Sequence, residues 1–240
     1  MLSRKPGLAT SRSSTACDGD TVNVIAVDGP SGSGKSTVSR HLADRLGWLH
    51  LDTGAYYRAG TLACLRTRTD LDDEDAVLKI VSRMRLRQEE GRTFVDNEDV
   101  TEEIRSSEVT ATVSTLAAHP RVRAVIVREQ RLWVASHHQP AVVEGRDIGT
   151  VVFPDALLKV WLEASPPERV RRRAEETGQS FKEVEAELAR RDKADSGRLA
   201  SPSKPAADAI QLDTTNLSVD VVVERIVELL PTDQVFRKPV

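Results

Sequence analysis

Val24-Ile-Ala-Val27-Asp28-Gly29-Pro30-Ser31-Gly32-Ser33-Gly34-Lys35-Ser36-Thr37 is the stretch on which the fold turns. Val22, Val24, Ile25, Ala26 and Val27 form a short, almost unbroken apolar run, the pattern of a strand buried on both faces, and it stops at Asp28-Gly29-Pro30. Gly29 to Ser36 then matches G-x-x-x-x-G-K-[ST], placed directly after a strand and directly before a helix, so both context tests for a phosphate-binding loop are met. Gly29, Gly32 and Gly34, with Pro30, Ser31 and Ser33 between them, let successive backbone N–H groups converge on phosphate oxygens. The helix opening at Lys35, Ser36 and Thr37 adds its positive end. Lys35 reaches the β and γ phosphates, and the Ser36 hydroxyl is placed to ligate Mg2+. A nucleoside triphosphate is the expected ligand.

Outward from this loop, similar apolar runs recur at Trp48 to Leu51, Ala141 to Val143, Leu157 to Leu162 and Ala209 to Leu212, with helical spacing between them. Strands alternating with helices predict right-handed crossovers and a five-stranded parallel sheet flanked by helices, an α/β fold. The interval from Gly54 to Pro140 is too long for one crossover. Ala55 to Arg66 and Asp70 to Arg83 read as helices, the second with Asp72 or Asp73 near its start. Met84 to Val100 alternates and carries two turn signals, which predicts a small inserted subdomain at about 80–105. Helices at about 106–118 and 121–136 follow, with Pro120 breaking the first. The segment from Ala164 to Arg198 is helical in pattern but poor in large apolar residues. Between Pro166 and Arg198 its nine basic residues face eight acidic ones, so it reads as a helical hairpin, either simply solvated or a mobile cover over the phosphate site.

The whole chain has 240 residues and 26.4 kDa, which favours one domain with an insertion over two full domains. Hydrophobic residues make up 39% and charged residues 30%, with a mean hydropathy of −0.36, which excludes a wholly disordered chain. No apolar run approaches a membrane span, because Asp220, Glu224, Arg225 and Glu228 interrupt even the Val219 to Leu230 region. A net charge of −3, from 34 basic and 37 acidic residues, provides no global field for nucleic acid or an anionic bilayer. The basic set is 26 Arg and 8 Lys, however, and Arg is the side chain that forks onto phosphate and carboxylate. Cys17 and Cys64 are too few for a disulfide framework, so a reducing cytoplasm is expected. Modest size and solubility suit a monomer, and the charge balance and lack of a membrane span suit one working without nucleic acid or membrane. Residues 1–20 and 231–240 read as tails, and the first lacks the apolar stretch of a secretory signal.

A phosphate loop leaves three classes open. A switch GTPase needs Asn-Lys-x-Asp after a later strand, and Asp192-Lys193-Ala194-Asp195 lacks the Asn and lies in a charged helix. A motor ATPase usually has a longer chain and a hydrophobic run ending in Asp-Glu. A small-molecule kinase stands in front. Asp52-Thr53-Gly-Ala-Tyr-Tyr-Arg58 follows the second strand and emerges at the edge where doubly wound sheets bind ligands, so Arg58 can clamp an acceptor phosphate there. Glu144-Gly-Arg146-Asp147 follows the third strand to the same edge.

With Leu51 to Arg58, Pro120-Arg-Val-Arg123, Gly145 to Asp147, Gly149 to Asp155, Arg191-Asp-x-x-Asp195-x-x-Arg198 and Pro205 to Asp208, the chain resembles the bacterial cytidylate kinases of the nucleoside monophosphate kinase group over about residues 22–230. The resemblance implies a P-loop kinase with a small acceptor-binding insertion and a helical lid, transferring the γ-phosphoryl of ATP to CMP or dCMP. It implies that Asp52, Thr53 and Arg58 hold the acceptor, that Arg146 bridges acceptor and donor phosphates, and that Asp147 engages the sugar hydroxyls. Ser114, Arg123 and Asp195 fall on the cytosine-reading positions. A carboxylate suits the cytosine N4 amino group and repels the uracil carbonyl. Arg191, Arg198 and Arg172 or Arg173 would neutralise charge on the moving phosphoryl, making Lys35, Arg146 and Arg191 the catalytic set. Thr53 replaces the usual Ser and Glu144 the Asp often found before Gly-Arg-Asp. Cys64 and the histidines, His50 included, receive no role. A kinase for UMP or AMP and a non-catalytic nucleotide switch are the alternatives.

Overall fold

A computed structural model describes residues 23–89, 91–198 and 201–231, so the two expected tails, apart from Pro231, lie outside the described residues. Strand β1 (Val24–Asp28) is buried at every position. The phosphate loop turns it into helix α1 (Lys35–Leu46), which ends on left-handed Gly47 and leads into β2 (Leu49–Asp52). Asp52 caps α2 (Thr53–Arg66) by accepting from the Ala55 amide, and Asp73 caps α3 (Glu74–Val81), later than the predicted start at Asp70 because the aspartate carboxylate satisfies the free amides there. The predicted hairpin forms as β3 (Leu86–Glu89) and β4 (Arg92–Val95), joined by a two-residue third strand, β5 (Glu98–Asp99), that the alternation did not signal.

Helices α4 (Ser107–Ala118) and α5 (Pro120–His137) meet at His119, with Pro120 in the first turn of α5, where a missing N–H costs nothing. Then come β6 (Ala141–Gly145), a π-helical turn at Ile148–Val152, β7 (Leu158–Glu163), α6 (Pro166–Thr177), α7 (Phe181–Ser196), β8 (Ile210–Asp213) and α8 (Val219–Glu228).

The main sheet has five strands in the order β2-β6-β1-β7-β8, every neighbouring pair parallel. β1 is therefore central, and the β3-β4-β5 sheet is separate and antiparallel. Alternation along β1 divides the core. Val24 and Ala26 face a cluster with Leu51, Val143 and Ile126, while Ile25 and Val27 face Leu42, Val142, Leu162 and Ile226. With both faces covered, the carboxyl ends of β1, β2 and β6 become the exposed working edge. Register puts Asp28 beside Gly145 and Asp52 beside Glu144. Asp28 fixes that edge by accepting from the Ile148 and Gly149 amides, both at 2.8 Å. Burial drives its pKa up to about 6 despite those two bonds.

Candidate functional site

The loop conformation is one that only glycine supplies at two points. Gly29 has φ of +153°, and a Cβ there would lie 2.1 Å from the Leu162 carbonyl oxygen of β7; Gly32 has φ of +76° and a Cβ would press on the Arg169 backbone. The loop is thus packed against the sheet below and α6 above. Lys35 is buried, and its Nζ donates to the Pro30 carbonyl at 2.7 Å. Burial, then the neighbouring Arg146 charge, lowers its pKa well below the usual lysine range.

Beside the loop, the Ser36 hydroxyl donates to Glu144 Oε2 at 2.7 Å, and the other Glu144 oxygen meets His50 Nε2 at 3.0 Å. Burial alone would raise the Glu144 carboxyl, but the bond to His50 and the charges around it hold it low. His50 thus supports the site, although its type and position on β2 carried no signal for it. Thr53 Oγ1 donates to the Glu144 carbonyl at 2.6 Å and so ties the acceptor loop to β6. Arg58 donates to Thr110 Oγ1 at 2.9 Å and to the Ile104 carbonyl at 3.3 Å. Burial, followed by the charge of Arg191, takes its pKa down to about 9.

Asp147 is occupied by Arg123, 2.5 Å away, and the Arg123 guanidinium also lies 5.1 Å from the centre of the Tyr57 ring. Both partners are buried, so this pair needs its geometry intact to offset desolvation. Arg146 reaches in two directions. Its Nη1 donates to the Gly29 carbonyl of the phosphate loop at 3.2 Å, and its Nε to Asp195 on α7 at 2.9 Å. Asp195 also receives Arg198. Burial would raise the Asp195 carboxyl, yet Arg146 and Arg198 together keep it below its usual range.

The predicted helical cover lies on the loop. Arg191 donates to Ser31 Oγ at 3.2 Å, Arg169 to the Ser31 carbonyl at 3.1 Å and Arg172 to the Ser33 carbonyl at 3.4 Å. Its own apolar core is small, Ala174, Val184 and Leu188 with Val170 against them, in keeping with its sparse large residues.

Most of these groups line one cleft of about 450 Å³, which also takes in Ser114 on α4, Thr37, Arg173 and Arg105, while His50 and Arg169 are not part of its wall. Every residue predicted from position 52 onward is in its wall, as are Ser31, Gly32, Gly34, Lys35, Ser36 and Thr37 of the loop; Gly29, Pro30 and Ser33 lie behind it. Arg105 went unpredicted; it sits at the end of a short 3-10 turn and approaches Asp52 Oδ2 at 3.4 Å. Buried Nε atoms of Arg123, Arg173, Arg191 and Arg198 have no hydrogen-bond partner, an energetic cost concentrated in the arginines around the cleft.

The arrangement has counterparts. The family model described as Cytidylate kinase matches residues 25–232. A protein named "Cytidylate kinase" from Geobacillus sp. is 45% identical over 215 residues, covering 86% of this chain and 95% of its own. One of the same name from Caldanaerobacter subterraneus is 44% identical, with 86% and 93% covered. A "Bifunctional pantoate ligase/cytidylate kinase" from Thermosynechococcus vestitus is 45% identical over 86% of this chain and 42% of its own.

Proposed function

The chain belongs to the cytidylate kinase family, and on that premise we propose that it transfers the γ-phosphoryl group of ATP to CMP and dCMP. A phosphate oxygen of the acceptor attacks the γ-phosphorus, the bond from that phosphorus to the β-phosphate oxygen breaks, and CDP or dCDP and ADP leave. No protein nucleophile is required, because positioning and charge carry the reaction. Lys35 and the backbone N–H groups of Gly29 and of Ser31 to Thr37 hold the donor phosphates. Asp52, Thr53 and Arg58 hold the acceptor, and Asp147 meets its sugar.

Ser114, Arg123 and Asp195 read the base, Asp195 by accepting from the cytosine N4 amino group. Arg191 and Arg198 arrive with α7 and balance the charge of the moving phosphoryl. The Ser36 hydroxyl and the Glu144 carboxylate, 2.7 Å apart at the end of the loop, are hard oxygen donors of the kind Mg2+ takes alongside phosphates, and these two residues would hold it. When bound, Mg2+ neutralises charge on the phosphate oxygens. Among the described residues the exposed large apolar side chains, Leu132, Phe181, Val221 and Leu229, are scattered, which supports a chain that works as a monomer.

The observation that carries this reading is the double reach of Arg146, to the donor loop and to the Asp195 carboxylate at once. ADP release measured with CMP, dCMP, UMP, AMP and GMP tests it. Turnover with CMP and dCMP should exceed that with UMP and AMP by at least tenfold in kcat/KM, equivalent to about 1.4 kcal/mol. Equal turnover on UMP or AMP would move the substrate, and none on any acceptor would remove the kinase.

A further inference from the structure

Among the described residues β2 is an edge strand, paired on one side by β6 and on the other by no strand. A bare edge has unpaired amides and carbonyls. At Asp52, the last residue of that edge, a side chain takes the place of a strand. Gln88, from β3 of the insertion, accepts the Asp52 N–H on Oε1 at 3.2 Å and donates from Nε2 to the Asp52 carbonyl at 2.7 Å. One side-chain amide thus makes the pair of bonds that a neighbouring strand would make to one residue. Gln88 is buried, 9% exposed, and lies opposite the buried Thr93 of β4, so its amide is backed by the hairpin.

Asp52 is a junction. Its Oδ1 caps α2 through the Ala55 amide at 3.2 Å, and its Oδ2 faces Arg105, at the end of the insertion. The next residue, Thr53, is bonded to β6, and Arg58 stands a turn further along α2. The insertion therefore touches the acceptor loop at the residue that sets where α2 begins.

We propose that Gln88 is a positioning residue for the acceptor: it closes the open edge of β2 at Asp52 and so holds the start of α2, with Thr53 and Arg58, in register with the phosphate loop. Gln88 does not line the cleft, so it acts only through Asp52. The proposal rests on the reading that residues 52–58 receive the monophosphate.

The test is steady-state kinetics of the full chain carrying Gln88→Met, which keeps most of the bulk and removes both bonds. Alongside, backbone amide exchange at Asp52 and thermal melting are measured. The KM for CMP should rise about tenfold, the scale of one lost buried polar pairing, while the KM for ATP stays within about twofold. The Asp52 amide should exchange faster, and amides of β1 and β6 should not. Gln88→Glu, which places an oxygen against the Asp52 carbonyl, should give the same selective rise and serves if the first variant folds poorly. A KM for CMP that does not move, or losses spread equally over kcat and both KM values, would overturn the proposal by showing Gln88 to be packing only. If the unaltered chain failed to turn over CMP, the acceptor reading would be what fails, and unchanged exchange at Asp52 would still sink the latch on its own.

Discussion

Asp195 shows how one carboxylate serves two neighbours. Its two oxygens are taken by Arg146 and Arg198, so the group that would read cytosine also aligns the arginine joined to the phosphate loop. Replacing it with Asn keeps the shape but removes the charge and one acceptor. For Asp195→Asn the CMP to UMP ratio of kcat/KM should narrow about tenfold or more, in line with ~1–3 kcal/mol for a specific hydrogen-bonded base contact. The CMP rate should fall too, because Arg146 loses its anchor. A preserved ratio would place base selection elsewhere. Asp195 and Arg146 were legible in the sequence because each stands in a short motif with fixed spacing. Gln88, Arg105 and His50 were not, since their partners lie 36, 53 and 94 residues away in the chain and nothing local marks them. A half-buried histidine has many structural uses, and only the fold shows that this one faces Glu144.

At the scale of elements, apolar runs predicted the five strands, and helix boundaries fell where the sequence signalled them at Pro120 and Asp73, while the cap at Ser180 came only with the structure. The third strand of the insertion escaped because two residues have no period to detect. The helix pair α6 and α7 was recognised by what it lacks. With a small apolar cluster of its own, its stability depends unusually on local devices such as the capping box at the start of α7, where Ser180 and Glu183 satisfy each other's backbone amides. Ser180→Ala should cost about 1 kcal/mol, and with so small an apolar cluster of its own the cover should open apart from the sheet core, so that the loss appears locally. Amide exchange across residues 181–196 should accelerate about fivefold while β1 and β6 stay protected. Uniform acceleration through the sheet would mean that cover and core unfold as one unit.

For the molecule as a whole, a net charge of −3 hides a strong local separation. Composition ruled out a polyanion-binding surface but could not reveal that the arginines converge, because convergence depends on which strand ends and helices share an edge. Arg58 and Arg191 are lowered to about 9 and about 10, in each case first by burial and then by another arginine nearby. Both values are still above neutral pH, so the free site holds charged guanidinium groups that repel one another, several with an unpartnered Nε. Stability has been given up at this edge for the capacity to receive phosphate, and an anionic ligand should return it. Linkage gives about 2.7 kcal/mol of stabilisation at a hundredfold excess over Kd. For a chain of this length that corresponds to a rise of about 5–10 °C in Tm. Mg-ATP at that excess should produce this shift, and adenosine at the same concentration should produce less than about a third of it, since it has the base and sugar without the charge. Calorimetry on the full chain decides the matter. Equal shifts would mean that the base, and not the relief of the buried arginines, supplies the binding energy.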